Sequence, residues 1–215
     1  MEENQTWKLI QREKGMKVLP NKWVFKVKTD QAGNIERFKA RLVAKGYKQQ
    51  DGIDFNEVFS PVSKHTTLQT MLSIAATADW EISQIDIKTA FLNGDLEEKK
   101  VYMDVPQGYK TGRDQICELK KAIYGLKQAP RAWYLKLGAK LRELDFTPSE
   151  ADDSLFICRD NGKQIYVLVY VDDILIMSPD QKLVDATKMK LFNELDGREL
   201  KDLKLLVRFG NLQRS

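Results

Sequence analysis

The sequence is poor in metal-binding and cross-linking side chains. Its only histidine is His65, and its two cysteines, Cys117 and Cys158, stand in no ligand spacing. A zinc knuckle and a disulfide framework are thereby excluded, and a reducing, intracellular setting is expected. No apolar run reaches the length of a membrane span, and the opening MEENQTWKLI has neither the basic nor the apolar region of a signal peptide. Internal repeats and low-complexity linkers are also missing. A lone histidine ahead of a helix is ordinarily a surface or capping residue, so His65 receives no role.

What is present suffices for one large domain or two small subdomains: 215 residues, 42% of them hydrophobic. Net charge is only +4, but its distribution is uneven. Between Lys22 and Lys48, eight basic residues (Lys22, Lys26, Lys28, Arg37, Lys39, Arg41, Lys45 and Lys48) face two acids, Asp30 and Glu36. The same segment alternates. Trp23, Phe25 and Val27 oppose Lys26 and Lys28; after the turn residues DQAGN, Phe38, Ala40 and Leu42 oppose Arg37, Lys39 and Arg41. This predicts a β-hairpin with one basic face, which either holds phosphates or is a solvated ribbon.

Further along, QIYVLVYVDDILIM (164–177) joins two β-prone runs at adjacent aspartates, predicting a hairpin with Asp172 and Asp173 at its tip. Two carboxylates side by side at the end of apolar strands repel each other, and a divalent cation relieves that repulsion. Magnesium suits carboxylates that share it with substrate phosphates. Acids are also ordinary turn residues, so a third carboxylate decides the matter. The strand WEISQIDI (80–87) offers one. It places Ile82, Gln84 and Asp86 on one face, with Asp86 either a ligand or the N-cap of a helix over 88–92. Helices are predicted over 66–78 (Leu68, Met71, Leu72 and Ala75 inward, Thr66 or Thr67 capping), over 130–145 with Pro130 first, and over 183–195 with Gly197 stopping it. VYMDVP is read as a strand, 107–115 as a loop and 154–159 as a strand. The order describes an α+β fold in which an antiparallel sheet carries two helices on one face, bringing Asp86 beside Asp172 and Asp173. Such a cluster is what two-metal phosphoryl transfer requires; a nuclease on the same acids lacks a dedicated base in this sequence.

At these residues the chain resembles the reverse transcriptase of copia-type retrotransposons. The stretches that carry the resemblance are KWVFKVK, KARLVAKGYKQQDGIDFNEVFSPV, QIDIKTAFLNGDLEE, VYMDVPQGY, LKKAIYGLKQAPRAWY and YVDD, in the family's order from about Trp7 to about Leu195. The resemblance implies a right-hand polymerase. Fingers would comprise 1–81, with the basic hairpin at 22–48, and 93–129; the palm would comprise 82–92 and 130–205; 206–215 would be a truncated tail with the thumb absent or truncated. It implies that Asp86, Asp172 and Asp173 hold two magnesium ions. Phe91 would sit under the sugar of the incoming nucleotide, or else be a core phenylalanine. Tyr124 and Gly125 would lie along nucleotide and template, or else form a plain loop. Lys26, Lys28, Lys39 and Arg41 would belong to the hairpin that folds over the triphosphate, and Lys127 and Arg131 would contact the nucleic-acid backbone. The implied partners are an RNA template, a DNA primer, deoxynucleotides and other parts of a Pol polyprotein, with no membrane and a cytoplasmic particle as the setting. The chain departs from the family at Gln69, where an arginine is usual, and in DGRELKDLKLLVRFGNLQRS, which only loosely suggests the family's glycine-containing strand that holds the primer. An inactive relic that binds nucleic acid is the alternative.

Overall fold

The computed structural model describes residues 4–30, 33–96, 99–160 and 162–200. The loosely matching segment from 201 onward, and with it the expected tail at 206–215, lies outside them. The described residues form a mixed α+β fold of two compact units. The first comprises Met1–Phe59 and Phe91–Lys136, the second Ser60–Ala90 and Leu137–Ser215.

In the first unit, strands β1 (Trp7–Gln11), β2 (Val18–Leu19), β6 (Val101–Met103) and β7 (Gln115–Leu119) form a sheet in the order β1-β7-β6-β2. Of these strands the sequence revealed only β6, within VYMDVP; β2 has two residues and alternates too briefly to register. Its core joins Leu19, Met103, Cys117 and Leu119 to Ile123 and Leu126. Burial, with the nearby charge of Asp104, pushes the Cys117 thiol up to about 12, so that side chain behaves as a small apolar group.

The predicted basic hairpin is there as β3 (Asn21–Thr29) paired with β4 (Ile35–Ala44). The register sets Trp23 opposite Leu42, Phe25 opposite Ala40 and Val27 opposite Phe38 on one face. Only the end near Trp23 and Leu42 packs into the core, while Phe25 and Phe38 are 75% and 78% exposed. The hairpin is anchored where it meets the loop at Gly125. Ala44 N–H donates to Tyr124 O at 2.8 Å. Gly125 has φ +91°, and a Cβ there would stand 2.1 Å from Ala44 O, so only glycine allows this approach.

The second unit is built on a six-stranded antiparallel sheet, ordered β12-β5-β11-β10-β9-β8. Its strands are β5 (Glu81–Ile87), β8 (Thr147–Ser149), β9 (Asp152–Asp160), β10 (Lys163–Tyr170), β11 (Asp173–Ser178) and β12 (Gly197–Leu200). Every residue of β11 is buried, so this strand is covered on both faces. On one face Leu168, Leu175 and Met177 pack with Leu68 and Met71 of α1 (His65–Thr77). The other face receives the two helices predicted for it. Gly138 of α3 (Ala129–Glu143) stands by Phe156, and Phe192 of α4 (Gln181–Glu194) closes over Gly197 and Ile87. Gly197 is therefore more than a helix stop. It opens β12 where a Cβ would meet the Phe192 ring at 2.6 Å. Among the described residues no helix is long and apolar enough to cross a membrane.

The expected Thr66 or Thr67 cap of α1 is not what is found. The helix starts at His65, its N-cap Lys64 makes no side-chain bond of the capping kind, and the first turn is instead held from a distance. Asp152 of β9 accepts the Lys64 amide at 3.0 Å and the Ser154 amide at 2.9 Å. Burial raises the Asp152 carboxyl, but hydrogen bonds from the Thr67 side chain and the Lys64 and Ser154 amides, with the Lys64 charge, outweigh it and hold the group below its ordinary value of 3.8. The stabilisation is thus full above that value and is lost as pH falls through the lowered one. Asp152→Asn is expected to cost about 1–2 kcal/mol at pH 7. Urea unfolding at pH 7 and near pH 3 checks this, since the gap between the two proteins should shrink at the lower pH.

Candidate active site

The three candidate acids share one end of the central strand pair. β5 and β11 run antiparallel with Asp86 directly opposite Asp173, so the two carboxylates leave the sheet on the same side. The turn between β10 and β11 consists of Val171 and Asp172, with Tyr170 paired to Asp173. The tip is therefore one residue earlier than expected: Asp172 belongs to the turn, whereas Asp173 opens β11. The reason is the two-residue connection, whose positive φ at Val171 (+56°) matches the first central position of a type II′ turn. A β-branched residue in that region is strained by about 1–3 kcal/mol, and the two flanking strands hold it there. Ile87 N–H donates to Asp172 O at 2.9 Å, which ties the turn to the end of β5.

Each acid has a different environment. Asp173 is 6% exposed and accepts a hydrogen bond from Gln84 Nε2 at 3.1 Å. Gln84 was visible in the sequence as a polar residue on the Asp86 face, but no role was given to it. Asp86 is not a helix N-cap, since the short helix α2 (Ala90–Asn93) begins farther along the chain. Asp86 stays within β5, and its Oδ2 accepts Nε and Nη2 of Arg198, both at 2.9 Å. Sequence reasoning missed Arg198 altogether, since it lies in the weakly matching segment and reaches Asp86 only through the pairing of β12 with β5. No three His, Cys, Asp or Glu side chains among the described residues stand together as a metal-binding group. The oxygen donors suit magnesium and the register gathers their backbones, while the Asp86 side chain is held in an ion pair with Arg198.

The remaining candidates lie in the first unit. Three of them touch: the Phe91 and Tyr124 rings meet edge to face at 4.7 Å, and the Arg41 guanidinium lies 5.3 Å from the Tyr124 ring centre. Arg41 Nε is buried without a hydrogen-bond partner. Phe91 also packs on the core of this unit, so its core role is met. On the ribbon, Lys26 faces Lys39 and Lys28 faces Arg37 across the strands. Like charges directly opposite destabilise a ribbon, and an anionic ligand offsets that. Lys127 and Arg131 are engaged within the unit. The Lys127 amide donates to Gln49 Oε1 at 2.8 Å and its Nζ lies 5.0 Å from the Phe55 ring centre. Arg131 pairs with Glu57 at 2.7 Å and donates to Phe59 O.

A family model described as reverse transcriptase (RNA-dependent DNA polymerase) matches residues 4–213. The chain belongs to this family. Curated relatives include the retrovirus-related Pol polyproteins from transposon TNT 1-94 of Nicotiana tabacum and from transposon RE2 of Arabidopsis thaliana. Each is 43% identical over 93% of this chain. The chain spans 15% and 14% of their respective lengths. The copia-type resemblance is borne out by these relatives. A solved structure of apo telomerase from Candida tropicalis, truncated from the C-terminal domain, aligns with 93% of this chain and 53% of its own at 10% identity and a TM-score of 0.44; a likeness at that score carries no weight for fold or function.

In this reverse transcriptase domain, the Phe91–Tyr124 contact joins two residues that the motifs singled out separately. A double-mutant cycle with Phe91→Leu and Tyr124→Leu should give a coupling of about 1 kcal/mol in urea unfolding. A coupling of zero would mean that the two rings pack independently.

Proposed function

We propose that this domain catalyses RNA-directed DNA synthesis, adding deoxynucleotides to a primer 3′-hydroxyl within a copia-type Pol polyprotein. The observation that carries the reading is the register: Asp86 opposite Asp173, with Asp172 in the adjoining two-residue turn. In this reading Asp86, Asp172 and Asp173 hold two magnesium ions, Asp86 and Asp172 being the main ligands. The ions, when bound, supply activation of the primer hydroxyl and neutralisation of the leaving pyrophosphate. Gln84 orients Asp173, and the strained Val171 turn sets the direction of Asp172.

Fingers and palm correspond in this proposal to the first and second compact units, with α1 counted in the palm rather than the fingers. Lys26, Lys28, Lys39 and Arg41 meet the triphosphate from the ribbon. The buried, unpartnered Nε of Arg41 beside Tyr124 favours an anionic or polar group there. Phe91 contacts the sugar of the nucleotide, and Tyr124 with Gly125 lies along the template. Lys127 and Arg131 act on the nucleic-acid backbone by shaping the loop before α3 and its first turn, given their internal contacts. The RNA template, DNA primer, neighbouring polyprotein segments and a cytoplasmic particle belong to the same proposal.

Primer extension on an RNA template with magnesium tests the reading. Product should form with the unaltered chain and fall by at least about a thousandfold in Asp172→Asn. Template-primer binding should persist in that variant and weaken with salt, the slope falling by about one for each phosphate-contacting residue removed from the Lys26, Lys28 and Lys39 group. Extension that survives Asp172→Asn would remove the assigned roles. Binding without any extension by the unaltered chain would favour the relic reading, for which the ion-paired Asp86 is the motivating observation.

A further inference from the structure

The contact at the acid cluster that fits bound metal least is also well defined. β12 pairs with the side of β5 away from β11, and its register sets Arg198 directly opposite Asp86. One cross-strand row therefore reads Arg198, Asp86, Asp173, and the three side chains leave the sheet on the same face. Two guanidinium N–H groups converge on Oδ2 of Asp86 at 2.9 Å. A pair of carboxylates facing each other across neighbouring strands repels, and in this row the compensating cation is Arg198.

We infer that Arg198 is a resident cation of the acid cluster, competing with a divalent ion for Asp86, so that metal binding requires its guanidinium to leave. The inference rests on the reading of Asp86 as a metal ligand. A guanidinium cannot give up its proton at any ordinary pH, so it is removed only by movement. The side chain has room to move, being 45% exposed. The strand that carries it is held independently: Glu199 binds Lys188 at 2.9 Å and Ser83 at 2.8 Å, Asp196 binds Lys88 at 2.9 Å, and the Lys88 amide donates to Asp196 O. The side chain of Arg198 can therefore swing away while β12 stays in the sheet. A divalent ion and a guanidinium sharing one carboxylate would repel, and even in water-like screening keeping both there would weaken metal binding about tenfold, so the ion binds best once the guanidinium has left. The domain without metal thus keeps its acids partly neutralised, and the cost of displacing one arginine sets its affinity for the ion.

Calorimetric titration of Mn2+ into the full chain tests this, using the unaltered protein, Arg198→Gln, Arg198→Lys and Asp86→Asn. Arg198→Gln should bind Mn2+ about tenfold more tightly, Arg198→Lys should stay near the unaltered protein, and Asp86→Asn should abolish the gain when combined with Arg198→Gln. If the unaltered protein binds Mn2+ and Arg198→Gln binds it no tighter, the inference fails alone. If neither binds Mn2+, the metal reading of Asp86 fails and takes the inference with it. A second measurement needs no substitution in the protein being titrated. The Nε–H resonance of Arg198, assigned by its disappearance in Arg198→Lys, should shift as Mg2+ is added, with the midpoint of metal binding. A resonance unmoved at saturating Mg2+ would overturn the displacement.

Discussion

The site depends on the register between β5 and β11. A slip of one residue would turn Asp86 and Asp173 to opposite faces and disperse the acids. Two features oppose such a slip. β11 is buried along its whole length, so any shift exchanges packed apolar side chains for mismatched ones. The two-residue turn at Val171 and Asp172 fixes the pairing of β11 with β10, leaving no slack to absorb a shift. The consequence for Asp173 is burial of a carboxylate, an unfavourable position that the Gln84 hydrogen bond partly offsets.

Charge compensation around the acids is local. Asp86 has Arg198 and Asp173 has the Gln84 amide, so each repulsive carboxylate is matched by a donor on the adjacent strand or on β5 itself. The basic ribbon presents the opposite imbalance, with Lys26 against Lys39 and Lys28 against Arg37. Backbone packing supports the ribbon's base: the contact of Gly125 with Ala44 permits no side chain, and it keeps Tyr124 beside Arg41 and Phe91.

Much of the second unit was legible because its elements are long and strongly patterned. The β5 strand, the hairpin around the aspartates and the helices over 129–143 and 181–194 all announce themselves through alternation or through a stripe of apolar residues. The four-stranded sheet of the first unit was legible only in part: VYMDVP was read as a strand and β6 lies within it, whereas the two-residue β2 owes its existence to its pairing with β6 rather than to its own sequence. The capping of α1 escaped for a similar reason. A threonine near a helix start looks like a cap, whereas the carboxylate that holds the Lys64 amide arrives from β9, 88 residues later. The ribbon's apolar face followed the predicted alternation, yet alternation alone does not determine whether an opposing layer covers Phe25 and Phe38.

By itself the sequence determined which residue types were available to the site: adjacent aspartates between apolar strands, a third on another strand, a basic hairpin and the motifs that carry the family. Local chemistry suffices for that, because propensity and periodicity act over a few residues. Only the tertiary structure decided that Asp172 lies in the turn while Asp173 enters the strand, that Asp173 rather than Asp172 is the direct partner of Asp86, and that Arg198 closes on it. The place of Asp172 follows from the two-residue turn it shares with Val171, whereas the partnering of Asp86 with Asp173 and Arg198 follows from long-range strand pairing, where the register is chosen by the packing of whole faces.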